Sequence, residues 1–173
     1  MGMTWTAPNI IRMDEPTAGG EREQLEAWLD YHRQTLLLKC SGLTVDRLRE
    51  RAVPPSALSL LGLVRHMAEV ERGWFRTRFA GEDLAPYWVR QNNQDADFDD
   101  VDTADPQEAF DAFEKEVAGA RSAAAGRSLD DAFVHRGNTL TLRWVYFHMI
   151  EEYARHNGHA DLLRERIDGI TGD

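Results

Sequence analysis

The chain has 173 residues, 42% of them hydrophobic, a formal net charge of −10 and one cysteine, Cys40. That length holds one core, and no compositional break divides it; the acidic excess excludes nucleic acid as a partner, because phosphate binding needs clustered Lys and Arg. A single cysteine excludes an internal disulfide, and no apolar N-terminal segment reads as a signal peptide or membrane span, so the expectation is a cytoplasmic protein without membrane attachment.

Residues 1–19 scatter Trp5, Ile10 and Ile11 among Thr, Pro and Gly with no helical or strand period, and read as an N-terminal arm. Residues 20–173 are expected to form the single domain. From Glu21 to Lys39, the positions Leu25, Trp28, Leu29 and Leu36 follow the spacing of an amphipathic helix, bounded by Gly19-Gly20 and Ser41-Gly42. His32 lies on that stripe and reads as a packed core histidine, because nothing near it in sequence supplies a second ligand. Thr44 can cap a short helix reaching Arg51, and the run Val53-Pro54-Pro55-Ser56 then breaks the chain.

With Ser59 as N-cap, the apolar set Leu60, Leu61, Leu63, Val64, Met67, Val70, Trp74 and Phe75 predicts a second long helix to Phe79. His66 sits on or beside its buried face. It is either a satisfied core residue or a metal ligand from outside the last helix. Glu69 and Arg72 follow one turn on, as solvated charges or as groups that orient His66 or bind a substrate carboxylate. Residues 81–105 keep no period and carry seven aspartates, six of them from Asp95 to Asp105, reading as a long loop whose Tyr87, Trp88 and Phe98 can cover a pocket. A calcium loop is excluded by the missing mid-loop glycine and closing Glu. Asp105-Pro106-Gln107-Glu108 opens a third long helix to about Ala125, ended by Gly126. Residues 127–140 read as a connector, His135 included, leading to Thr141 as cap of the last helix.

That last helix holds the chemistry. At about 100° per residue, His148, Glu152, His156 and His159 fall at about 0°, 40°, 80° and 20°, one face carrying four potential metal ligands. Val145, Met149 and Leu163 lie nearby, turning the face partly to the core, where an unpaired polar group is costly. An imidazole and a carboxylate four residues apart can bind one divalent ion, with a third ligand from another helix. No phosphate loop, nucleophile elbow or repeat appears, which removes nucleotide hydrolysis and serine hydrolase chemistry. Four long helices predict an all-α fold.

Two stretches, PPSALSLLGLVRHMAEVERGWF from Pro54 and EEYARHNGHADLLRERIDG from Glu151, resemble the DinB-like superfamily, in the branch related to mycothiol-dependent maleylpyruvate isomerase. The resemblance covers nearly the whole domain and implies a four-helix bundle with a long loop between helices two and three. It implies a divalent metal, zinc in preference to nickel, held by His66, Glu152 and His156. The superfamily's usual last-helix pattern is two histidines four apart followed by Arg, Gly and Gln. Here the first ligand is Glu152, and His159 stands where the Gln would. His148, His159, Glu69 and Arg72 are then residues that orient the ligands or meet a substrate.

The implied function is activation of a low-molecular-weight thiol such as mycothiol, for S-transfer to a small electrophile or its isomerisation. Two other readings stay open. One is a hydrolase using a metal-bound water, with Glu69, Glu151 or His159 as general base. The other is a non-catalytic metal-binding stress or interaction protein, forming a homodimer through its helices. Cys40 is excluded as the nucleophile, since it ends a helix whose negative dipole end disfavours a thiolate.

Overall fold

A computed structural model describes residues 5–172; residues 1–4 of the arm and residue 173 lie outside the described residues. The protein is mostly helical, in the order α1 (Glu21–Cys40), α2 (Val45–Arg49), α3 (Leu60–Glu71), a π-helical continuation (Arg72–Phe79), α4 (Ala96–Asp99) with a short 3-10 turn, α5 (Pro106–Ala124), β1 (Ala132–His135), β2 (Asn138–Thr141) and α6 (Leu142–Asp168). The most extensive packing pairs α1 with α6 and α3 with α5. Caps set the ends where local chemistry requires them. Ser59 accepts a hydrogen bond from Gly62 N, Asp105 from Gln107 N and Thr141 from Trp144 N, each satisfying an amide the helix cannot. Thr44 precedes α2 but makes no such side-chain bond.

The apolar stripes meet in one core that includes Leu29, Leu36, Leu63, Met67, Phe113, Val145 and Met149. Each such side chain contributes about 1.5–3 kcal/mol by leaving water. Two charged side chains and a tyrosine cross that core and tie its helices together. Arg33 of α1 donates to both carboxylate oxygens of Glu71 at 2.7 Å, and the Tyr153 hydroxyl of α6 donates to the same carboxylate at 2.8 Å. Glu71 is fully buried, so this arrangement fixes how α1, the end of α3 and α6 sit together. Residues 5–13 dock on α1 and its C-terminal turn: Ala7 exchanges backbone hydrogen bonds with Leu43 and Gly42, and Arg12 lies over the Tyr31 ring.

Three stretches differ from the sequence expectation. The second long helix does not stay α-helical to Phe79; from Arg72 it widens into a π-helix, and there Gly73 leaves room for the Arg78 guanidinium to fold back on it. The connector at 127–140 contains a β-hairpin, turned at Arg136 and Gly137, both with positive φ. Its strands are four residues each, too short to show a period, and the turn is Arg-Gly rather than the stronger Asn-Gly signal. The long acidic loop holds α4, and there Asp97 is buried while Asp95 and Asp99 face water.

Candidate metal centre

Two helices bring the three implied ligands together. His66 sits near the middle of α3, and Glu152 and His156 sit one turn apart on α6, with ligand atoms of all three within 4.8 Å of one another. His156 Nε2 lies 3.5 Å from Glu152 Oε2, and the His66 and His156 rings meet at 4.8 Å between centroids. Tetrahedral coordination with bonds of about 2.0–2.2 Å puts ligand atoms roughly 3.4 Å apart, so a divalent ion fits with small side-chain adjustments. Two imidazoles and one carboxylate suit such a cation and leave a coordination position open.

The residue that orients the site is Asp97. Its Oδ2 lies 2.7 Å from His66 Nδ1, so it accepts that nitrogen's proton and leaves Nε2 as the lone-pair nitrogen for a metal. Asp97 is held in turn. Its Oδ1 accepts from Phe98 N, its carbonyl accepts from the buried Arg65 guanidinium, and the Phe98 ring packs on His66 at 5.0 Å between centroids. Gly62 makes this packing feasible, because a Cβ there would lie 2.8 Å from Phe98 Cδ1. One aspartate among seven in a periodless loop gives no sequence signal, and Asp97 becomes visible only once α4 is seen against α3.

Electrostatics favour neutral imidazoles on the α6 side. Burial, reinforced by His66 and His159, pulls the His156 pKa down to about 4, so its ring is unprotonated at neutral pH. His159 Nδ1 lies 3.4 Å from His156 Nδ1. His148 is lowered chiefly by burial, against the opposing pull of Glu152, and its Nε2 lies 3.6 Å from Glu152 Oε1. Its ring stacks on Trp144 at 4.8 Å and meets the Trp74 edge at 4.5 Å. Glu152 thus turns one oxygen toward His156 and the other toward His148. His148, Glu151 and Glu152 form a second group of metal-ligand type one turn earlier, although Glu151 is exposed and paired with Arg155.

Glu69 and Arg72 have partners outside the ligand group. Glu69 accepts from the backbone amides of Trp88 and Val89, pinning the loop over α3. Arg72 pairs with the fully buried Glu116 at 3.2 Å and lies over the Tyr87 ring, whose hydroxyl donates to Glu116 at 2.6 Å. His32 meets Asn157 and Trp28, outside the ligand group. Cys40 is buried, and burial pushes its thiol up to about 12, which removes it as a thiolate.

Beside His66 opens a cleft of about 710 Å³, floored by Asp97 and Phe98 and walled by Trp74, Leu84, Pro86 and the hairpin's Val134. That volume suits a small organic ligand. Among the described residues, no helix is long and apolar enough to cross a membrane. A family model described as mycothiol-S-transferase matches residues 24–169, which include every residue of the ligand group and its supports. No curated protein and no solved structure matches the chain.

Proposed function

Because the chain belongs to the mycothiol-S-transferase family, we propose that it transfers a low-molecular-weight thiol of the mycothiol type to a small electrophile, at a divalent-metal site formed by His66, Glu152 and His156. The observation that carries this reading is the convergence of those three side chains from two helices, inside the matched region, beside a ligand-sized cleft. The reading takes α1, α3 with its π-helical continuation, α5 and α6 as the family's four-helix bundle. Zinc is the metal the donor set favours, with nickel as the alternative.

A metal bound there supplies the Lewis acidity that makes a thiol a thiolate at neutral pH. The chain's own residues do the rest. Asp97 keeps the His66 proton on Nδ1, and burial keeps His156 neutral, so its lone pair is available without loss of a proton. Trp74 and Trp144 hold His148 beside Glu152, limiting that carboxylate's freedom. Glu69 ties the loop at Trp88 and Val89 over α3, where Leu84, Pro86 and Val89 give the cleft an apolar wall. In the transfer, sulfur forms a bond to the electrophilic carbon; a leaving anion departs, or the adduct takes up a proton equivalent to the one the thiol lost.

The test is conjugation of mycothiol to chlorodinitrobenzene by metal-loaded protein, followed by mass spectrometry of the thioether. Product should require both thiol and metal. Hydrolysis of ester or amide substrates at a comparable rate without any thiol would instead favour metal-bound water as the nucleophile.

A further inference from the structure

Arg78 stands apart from the other arginine lining the cleft. Arg72 is paired with Glu116, whereas Arg78, among the described residues, makes neither an ion pair nor a hydrogen bond with the protein. Its guanidinium lies over the Trp74 ring at 4.6 Å, folded back onto Gly73, where a Cβ would stand 2.3 Å from Nη1. The π-helical turn therefore presents a half-buried planar cation to the cleft with its donors unused. Arg136, at the hairpin turn, adds a second cation near enough to act on Arg78, and both act on His135 of the cleft wall. In a chain with net charge −10, two guanidiniums that act on each other and have no acidic partner among the described residues form a local positive patch.

The cleft's acids do not fill this role. Glu69 is committed to the loop amides and Asp97 to His66. Of the remaining lining, Val70, Leu84, Pro86, Val89 and Val134 are apolar, Thr77 and Gln94 are polar, and Asp95 is an exposed carboxylate that makes no ion pair with Arg78 among the described residues. A stacked guanidinium with free donors matches a carboxylate or sulfonate, which it can grip through two parallel hydrogen bonds. We propose that Arg78, supported by Trp74 and Gly73, is an anion receptor, and that the cleft takes an apolar acceptor bearing one carboxylate or sulfonate group. This rests on the reading of the cleft as the acceptor's binding place. The Trp74 ring contacts both Arg78 and His148, so an acceptor anchored at Arg78 lies on the same aromatic shelf that flanks the ligand group.

The test uses binding alone, with no thiol present, so its failure leaves S-transfer itself untouched. Para-nitrobenzoate and its uncharged methyl ester are titrated calorimetrically into metal-loaded protein and into chelator-treated protein. The acid should bind about 10- to 100-fold more tightly than the ester in both forms, and the margin should shrink as salt is raised. Arg78→Gln should bring the two ligands to near parity while leaving ester affinity unchanged; Arg78→Lys should keep only part of the preference. Equal affinities in the wild-type protein overturn the proposal whether or not either variant folds. A preference that survives Arg78→Gln overturns it too, as does one that disappears on chelation, which would put the carboxylate on the metal.

Discussion

Asp97 Oδ2 sits 2.7 Å from His66 Nδ1, a buried carboxylate gripping the one metal-ligand candidate that does not lie on α6. Such a partner fixes the ring's tautomer and direction, and its loss typically costs 10–100-fold in metal affinity. Asp97→Ala should therefore weaken zinc binding by about 10- to 100-fold, read by competition against a chromophoric chelator, with the helical circular dichroism retained. Unchanged affinity would mean that His66 needs no such support.

Separate from the site, the Arg33–Glu71 pair predicts a stability effect. Arg33→Met leaves Glu71 buried without its cation, with only Tyr153 as donor, and should cost about 3–5 kcal/mol in denaturant unfolding. The double variant Arg33→Met with Glu71→Met should recover much of that loss, since a well-packed apolar pair replaces the ions without stranding a charge. A double variant no more stable than the single one would contradict this account.

His156 makes the metal-free protein sensitive to acid. Its folded pKa of about 4 lies below the unfolded value of 6.5, so the unfolded state binds more protons between them. This group's contribution to stability is complete above pH 6.5, falls as pH drops through that window and is fully lost below about 4. Urea midpoints of chelator-treated protein should decline over that window, and His156→Gln should flatten the slope. An identical slope in the variant would show that another group carries the effect.

The shared face of α6 calls for sorting its four ligand-type residues. Glu152→Ala and His156→Ala should abolish stoichiometric metal binding, whereas His148→Ala and His159→Ala should weaken it by about 10- to 100-fold. Titration calorimetry distinguishes the two classes. If His148→Ala loses the metal and His156→Ala keeps it, the ion sits one turn earlier, in the group formed by His148, Glu151 and Glu152.

The legible parts of the sequence were those with a long period or a sharp chemical signal. The four long helices stood out because each keeps its apolar spacing over many turns, and Ser59, Asp105 and Thr141 marked their starts. The α6 face was legible because the i, i+4 spacing of Glu152 and His156 forces them together once a helix forms. What stayed hidden depended on long-range contact. Asp97 is chemically identical to its exposed neighbours, and only tertiary contacts, Phe98 against Gly62 and Arg65 on its carbonyl, select it. The π-helical turn at Arg72–Phe79 has no period or residue that sets it apart from a straight helix in the sequence, and the pairs Arg72 and Arg76 make there with Glu116 of α5 are long-range. The hairpin was lost because four-residue strands do not establish a period.

The measurement that bears most directly on the whole account is turnover of mycothiol with chlorodinitrobenzene by metal-loaded wild-type protein and by His66→Ala, at matched concentrations and with metal content determined for both. The account predicts thiol-dependent turnover in the wild type and its loss, together with the metal, in His66→Ala. Equal turnover by the two proteins would contradict it.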